Sequence, residues 1–320
     1  MRHLLAALCL LCVAWPAQAQ TGYALIQLPD AGGPPIETAI WYPAAGGTAV
    51  PTRVGAFTQN LAPEAPLRGR GLPLVVISHG NGGYLASHAD TALALAEAGF
   101  IVAAPTHPGD NYRDQSGATD LAARTRQFAA VVTHLAGPWK PGAVGAGRIG
   151  AFGFSAGGFT VLVAAGGMPD FTQVGPHCTA HPDFFDCRLI GTAAQAMAPE
   201  LSRPAIAPRA LVVAAPALGF AFVPGSLGGV TMPVQLWQAG ADEILPAPFY
   251  VEPVRAALPR SPEFHRVEAA GHFDFLAPCN ESLARAAPMI CTSAPGFDRA
   301  AFHARLNAEV VRFLTEALRP

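Results

Sequence analysis

Short apolar runs alternate along this chain with segments whose apolar residues recur at helical spacing. The runs predict strands at 74–78, 100–104, 148–152, 209–215, 233–238 and 263–269. The helical spacing predicts helices at 87–98, 119–135, 158–165 and 298–318, with Thr119 as the cap of the second. Strands that alternate with helices favour a mainly parallel sheet with helices on both faces.

Three segments lie outside this alternation. Residues 24–28 and 37–42 predict an antiparallel hairpin at the edge of the sheet, and the Pro- and Gly-rich residues 48–71 predict a long loop. Residues 168–208 are more than one helix and a short loop require. We expect them to form an insertion at the active-site edge. It is either a cap whose aromatic residues, Phe171, Phe184 and Phe185, help to form an acyl pocket, or a surface loop with its own small apolar cluster.

The pentapeptide Gly-Phe-Ser-Ala-Gly at 153–157 joins a predicted strand to a predicted helix. On such a sharp turn a serine is strained and its hydroxyl is exposed, which is typical of a nucleophile. Glycine is required at 153 and 157 because side chains there would collide where the strand and the helix approach each other. The pattern therefore predicts Ser155 as a nucleophile.

A serine nucleophile needs a histidine base and a carboxylate that orients it, here in the chain order serine, acid, histidine. Asp242 and His272 each follow a predicted strand. The carboxyl ends of parallel strands share one edge of the sheet, so we predict a triad of Ser155, Asp242 and His272. Glu243 is the alternative acid, and Asp274 is expected to form hydrogen bonds within its own loop.

The glycine-rich turn after the strand at 74–78 predicts an oxyanion hole. The backbone N–H groups of Asn81 and Ala156 are the expected donors. His79 is interpreted as a structural residue that shapes the turn, and His107 as structural or substrate-lining. The alternative for each histidine is the role of catalytic base.

The motifs at 78–83, 153–158, 239–243 and 271–276 resemble those of the α/β-hydrolase superfamily. The nearest branch is the bacterial "predicted dienelactone hydrolase" group, which is similar to platelet-activating-factor acetylhydrolases and, more distantly, to cutinase-like polyester hydrolases. The resemblance extends from about residue 23 to residue 318. It implies the α/β-hydrolase fold and a serine esterase without cofactor or metal. Dienelactone hydrolases themselves use a cysteine nucleophile where this chain has Ser155, which argues against dienelactone as the substrate.

Composition sets the broad class. The chain has 320 residues, of which 51% are hydrophobic and 13% charged, enough for one large α/β core. The net charge of −2 and the lack of a basic patch argue against nucleic-acid binding.

The first residues predict an export signal. Arg2 and His3 precede the apolar run 4–13, and Ala-Gln-Ala at 17–19 fits a cleavage site. We therefore expect a signal peptide at 1–19 and a periplasmic or secreted catalytic domain at 20–320. The apolar run is too short to span a membrane, and no transmembrane segment is predicted.

Four cysteines lie beyond the predicted signal: Cys178, Cys187, Cys279 and Cys291. In an oxidising compartment they allow three connectivities. Pairing within each close pair, 178 with 187 and 279 with 291, closes the shortest loops and is favoured. A zinc site that also used His177 and His181 lacks the close cysteine spacing of such sites.

The function predicted from these features is exported hydrolysis of short- to medium-chain carboxylic esters through an acyl-enzyme. Phe154, Phe184 and Phe185 are the expected substrate-lining residues. The alternatives are a hydrolase of phospholipids like platelet-activating factor or of polyesters, and a non-catalytic binding module, which would be expected to lack a triad or oxyanion element. The partner is thus a small-molecule or lipid ester, and the oligomeric state is left open.

Overall fold

The structure, a computed structural model, describes residues 20–191 and 199–320. The predicted signal peptide at 1–19 and residues 192–198 of the predicted insertion lie outside the described residues. Ten strands of the described part form the sheet: β1 (Gln20–Asp30), β2 (Gly33–Ala44), β3 (Val50–Val54), β4 (Phe57–Pro63), β5 (Leu72–Ser78), β6 (Ile101–Pro105), β7 (Val144–Phe154), β8 (Ala210–Ala214), β9 (Val234–Ala239) and β10 (Glu263–Val267).

The strand order is β10-β9-β8-β7-β5-β6-β2-β1-β4-β3. The six strands from β10 to β6 in that order run parallel, and β2 is antiparallel to both β6 and β1. The parallel strands β5, β6 and β8 are buried almost throughout, which explains why they read as continuous apolar runs.

The α-helices of the described residues are α1 (Ala89–Glu97), α2 (Leu121–Ala136), α3 (Ala156–Ala164), α4 (Val174–Ala180), α5 (Phe185–Ile190), α6 (Val251–Ala257), α7 (Glu281–Ala286), α8 (Pro288–Cys291) and α9 (Arg299–Ala317). Buried residues of α2, α3 and α6 share one core cluster, and those of α1 and α9 share a second. Together with the strand order, these two layers give the α/β-hydrolase architecture. No helix in the described part is long and apolar enough to cross a membrane.

The closing helix α9 shows how the sequence pattern produces the packing. Its apolar residues at helical spacing are buried against the sheet, and Asp298 caps its first turn by accepting a hydrogen bond from the Ala301 N–H. The same capping occurs at α2, but the cap is Asp120, which accepts from the Ala123 N–H, and not Thr119 as predicted.

The prediction of a long loop at 48–71 was wrong, because that segment contains the hairpin of β3 and β4. Three of the five residues of β3 are exposed, and Thr52 and Arg53 interrupt its apolar residues, so it lacks an apolar run; its proline also indicates a loop when read from sequence. The predicted edge position of the β1–β2 hairpin was also wrong. This hairpin lies inside the sheet, with β6 on one side and β4 on the other.

The predicted insertion holds a short 3-10 turn (Phe171–Gln173) followed by α4 and α5. A disulfide joins Cys178 in α4 to Cys187 in α5. A second disulfide joins Cys279 to Cys291, on the segment that follows His272. The bridges therefore use the local pairing favoured from the spacing.

Candidate active site

Ser155 occupies a strained turn between β7 and α3. Its φ of 55° and ψ of −119° lie where residues other than glycine are uncommon. A Cβ atom on Gly153 would overlap the carbonyl of Gly157, and one on Gly157 would overlap the carbonyl of Ser78 in β5. The turn thus requires glycine at both positions, as expected.

The hydroxyl of Ser155 is less accessible than the sequence suggested. The residue is 6% exposed, whereas a freely exposed side chain was expected. His272 contacts it from one side, and Gly80 approaches so closely that a Cβ there would lie 3.1 Å from the Ser155 Cβ. Ser155 is therefore largely covered by its neighbours, and the adjacent Ala156, not Ser155 itself, lines a pocket.

The structure brings together Ser155, His272 and Asp242. The His272 Nε2 lies 3.1 Å from the Ser155 Oγ, and its Nδ1 lies 2.8 Å from the Asp242 Oδ2. The other Asp242 oxygen accepts hydrogen bonds from the Ile244 and Leu245 N–H groups at 3.0 and 2.7 Å. With Asp242 accepting the Nδ1 proton, the Nε2 lone pair faces the serine hydroxyl, which is the geometry of a general base.

The two neighbouring carboxylates have other contacts. The Glu243 carboxylate lies beside Gly271, close to where a Cβ on that glycine would be. Asp274 accepts hydrogen bonds from the Gly271 N–H at 2.8 Å and from the Arg299 Nε at 3.0 Å. Asp274 therefore bonds within its loop, as expected, and also fixes that loop to α9.

The two expected oxyanion donors border one pocket. Asn81 and Ala156 both line it, and within the described residues neither backbone N–H has a hydrogen-bond partner. Ala156 is the first residue of α3, so its N–H also lies at the positive end of the helix dipole. Two free N–H groups beside a serine hydroxyl can bind an oxyanion.

His79 and His107 are structural in this fold. The His107 N–H donates to the His79 Nε2 at 3.1 Å, and the His79 Nδ1 donates to the Gly80 carbonyl at 2.7 Å. Burial, aided by the positive charge of Arg124, holds the pKa of both imidazoles well below the usual histidine range. Both are neutral and fully buried, and the hydrogen bonds of His79 hold the turn after β5, the role expected of it. Of the two roles expected of His107, its contacts favour the structural one.

The pocket beside the oxyanion donors is small and largely apolar. Its cavity volume is about 30 Å³, well below the roughly 300–1,000 Å³ that is usual for a small-molecule site. Its lining residues are Asn81, Ala118, Thr119, Leu121, Ala156, Phe159, Asp186, Leu189, Ile190, Ala217 and Leu218. The insertion thus contributes α5 residues to the pocket.

The aromatic residues expected to line the pocket lie elsewhere. The Phe154 ring packs against His272 at a centroid distance of 4.8 Å. Phe184 stacks on His181 within an aromatic cluster of the insertion, and Phe185 is likewise not among the lining residues. Leu189 and Ile190, three and four residues after Asp186 on α5, line the pocket instead. Aromatic content alone does not indicate these positions.

Asp186 is a functional candidate that sequence reasoning missed. Its Oδ1 accepts from the Tyr250 hydroxyl at 2.8 Å and from the Cys187 N–H at 2.9 Å. Burial raises the pKa of this carboxyl. Among the described lining residues it is the one ionisable side chain, so it gives the largely apolar pocket a titratable group.

Two clusters of possible metal ligands occur in the described residues. In the first, His177 and Asp186 lie near Cys187, but the Cys187 sulfur is bonded to Cys178 and cannot act as a thiolate ligand. In the second, Glu263 with His265 and Glu309, the guanidinium of Arg312 pairs with both glutamates. A cation of the protein itself thus already neutralises that cluster.

Comparison with known proteins gives a family match and a structural likeness. Residues 38–131, less than a third of the chain, match the family described as platelet-activating factor acetylhydrolase, isoform II. A ferulic acid esterase from Streptomyces cinnamoneus has a similar structure, with a TM-score of 0.62 at 18% identity over 96% of this chain and 93% of that one. No curated protein sequence matches the chain. The structural likeness shows the α/β-hydrolase fold, and the matched segment contains Asn81 but ends before Ser155.

Proposed function

We propose that this α/β-hydrolase, whose fold and family match support a hydrolase of the carboxylesterase type, is an exported serine esterase for short- to medium-chain esters. The observation that carries the proposal is the hydrogen-bonded series from Ser155 through His272 to Asp242 beside two unpaired N–H groups. Export is supported by the signal-like N-terminal sequence and by the two disulfides.

In the first half-reaction the Ser155 Oγ attacks the ester carbonyl while the His272 Nε2 accepts its proton. The N–H groups of Asn81 and Ala156 hold the oxyanion of the tetrahedral intermediate, and Asp242 stabilises the imidazolium. The intermediate then collapses as the carbon–oxygen bond to the alcohol breaks, and His272 gives its proton to the departing alkoxide.

In the second half-reaction water attacks the acyl-enzyme. His272 takes a proton from this water and later returns it to the Ser155 oxygen as the acid leaves. No group beyond the protein and water is needed for either half-reaction. The sum is one ester and one water converted to one acid and one alcohol.

The size and lining of the pocket support the choice of substrate. A cavity volume of about 30 Å³, with Leu189 and Ile190 at its wall, suits a short acyl chain better than a long one. The family match at 38–131 favours a second candidate, a phospholipid like platelet-activating factor with a short acyl chain, because that family is described as platelet-activating factor acetylhydrolase, isoform II.

The test is a panel of p-nitrophenyl esters from acetate to dodecanoate, with a 2-acetyl phospholipid and a polyester film, on wild-type protein and Ser155→Ala. We expect the highest kcat/KM at four carbons or fewer and loss of about four decades of kcat in the variant. Activity of the variant within tenfold of wild type would reject Ser155 as the nucleophile. A preference for the phospholipid over all simple esters would establish the second candidate.

A further inference from the structure

We propose that Arg124, acting with Asp110, is a positioning residue that sets the spacing of the two oxyanion donors. The inference rests on the proposed function, because it concerns the same N–H groups of Asn81 and Ala156. These groups belong to different segments, the turn after β5 and the first turn of α3. The buried guanidinium of Arg124, in α2, is hydrogen-bonded to one residue of that turn and to one residue of α3.

The first connection runs to the turn that carries Asn81. Arg124 donates one hydrogen bond to the His79 carbonyl and another to the Asp110 carboxylate. Asp110 in turn accepts from the Gly82 N–H at 3.0 Å and from the Asn81 side-chain amide at 3.0 Å. The turn is therefore held at residues before, at and after Asn81, which leaves the Asn81 N–H free.

The second connection runs to the helix that carries Ala156. The Arg124 Nε donates to the Thr160 Oγ1 at 3.1 Å, and the Thr160 hydroxyl donates to the Ala156 carbonyl at 2.8 Å. Ala156 is thus tied through one side chain to the same guanidinium that holds the turn.

The chemistry of the group explains why arginine occupies this position. Arg124 and Asp110 are each 3% exposed, so water does not solvate the charge pair. Removal of one partner would leave the other as an unpaired buried charge. A guanidinium presents several donors in a fixed plane and can bind three acceptors at once, whereas the single ammonium of lysine cannot span them. An oxyanion hole acts through preorganised donors, so a shift in the spacing of the two donors weakens transition-state binding more than substrate binding.

The test compares Arg124→Lys and Asp110→Asn with wild type. The matched control is Arg126→Lys, on the same helix, because Arg126 forms a two-bond ion pair with Asp30 away from the site. The measurements are kcat, KM and the inhibition constant of a short-chain alkyl trifluoromethyl ketone, whose adduct with serine places an oxyanion in the hole.

We expect kcat of both site variants to fall by roughly 10² to 10³, KM to change by less than about threefold, and the ketone affinity to fall in proportion to kcat/KM. The control should keep kcat and ketone affinity. Variants of Arg124 and Asp110 that melt at lower temperature but keep both quantities would show a purely structural ion pair and overturn the inference.

If Arg124→Lys does not fold, Thr160→Val carries the test, since it removes only the connection to α3 and should lower kcat by about tenfold. An unchanged ketone affinity in that variant would overturn the inference as well. Failure of the proposed function is distinct from either result. It would appear as ester hydrolysis that persists in the Ser155→Ala variant. That result would remove the basis of the inference too.

Discussion

Asp242 and Glu243 are adjacent in the sequence, yet only the first contacts His272. Asp242 holds the imidazole through one oxygen and is itself held by two backbone N–H groups through the other. The sequence favoured Asp242 and kept Glu243 as the alternative, since spacing along a loop does not fix which of two neighbouring side chains faces inward. The contact geometry favours Asp242.

This difference predicts the order of two conservative variants. Asp242→Asn should lower kcat by about 10⁴, because the amide favours the tautomer that directs an N–H, not a lone pair, toward Ser155. Glu243→Gln should stay within about threefold of wild type, since its carboxylate does not contact His272. Steady-state kinetics on one short ester decide the matter, and the reverse order would identify Glu243 as the acid.

A second prediction at this scale concerns His88, which lies between the rings of Phe152 and Phe154. Burial lowers the pKa of His88 to about 4; the charge of Asp90 acts against this shift and that of His303 adds to it. The unfolded chain, with an ordinary histidine pKa near 6.5, therefore binds more protons than the folded chain between about pH 4 and pH 6.5. Stability is thus fully present above this window and decreases as the pH falls through it.

His88 alone should lower the free energy of unfolding by about 2 kcal/mol between pH 7 and pH 5. His88→Leu should reduce the slope of stability against pH by about 1 kcal/mol per unit in that interval, while the buried His79 and His107 keep part of it. Urea unfolding of the disulfide-intact protein at several pH values measures both slopes. Equal slopes of stability against pH in wild type and His88→Leu would show that His88 already takes up its proton in the folded state.

Among the helices and strands, those that bury an apolar face could be predicted from the sequence, because burial leaves an apolar pattern. Strands β5 and β8 are buried on both faces and stand out as apolar runs, and α9 shows its buried stripe directly. The β3–β4 hairpin escaped prediction because polar residues interrupt the apolar ones in both strands and only part of each strand is buried, so neither shows an apolar run.

The candidate site divides in the same way. The sharp turn at Ser155 and the loops of Asp242 and His272 follow strand ends. The order of strands along the chain was therefore enough to predict that these three residues lie at one edge of the sheet. Asp110 and Arg124 belong to other elements and meet only through tertiary packing, which no local pattern records. The lining residues of α5 were missed for the same reason.

The two disulfides act on different elements and should have different effects when removed. Cys279–Cys291 lies in the segment after His272, where Asp274 also accepts hydrogen bonds from Ser293 and Arg299. Replacing both cysteines of this bridge by serine should lower the free energy of unfolding by at most about 3 kcal/mol and also reduce kcat, because the loop of the base is loosened.

The matched control is the double serine variant of Cys178–Cys187, whose bridge joins α4 to α5 beside the pocket. It should alter the preference for acyl length with little effect on acetate hydrolysis. Thermal melting and kinetics on two esters of different length separate the cases. Identical kinetic profiles for the two variants would contradict an assignment of one bridge to the base and the other to the pocket.

At the scale of the whole molecule, the parallel strands bring chemistry from distant parts of the chain to one edge of the sheet. The proposed nucleophile follows β7, the proposed acid follows β9, the proposed base follows β10, and one of the proposed oxyanion donors follows β5. Helices on both faces fix these strands, and the insertion contributes one wall of the pocket.

The most direct test of this account is covalent labelling with a fluorophosphonate followed by peptide mass spectrometry. We expect one adduct per chain, on Ser155, with no labelling of Ser155→Ala and labelling slowed by at least about a hundredfold in His272→Ala. An adduct on another residue, or equal labelling rates in wild type and His272→Ala, would contradict the assignment of Ser155 and His272 as nucleophile and base.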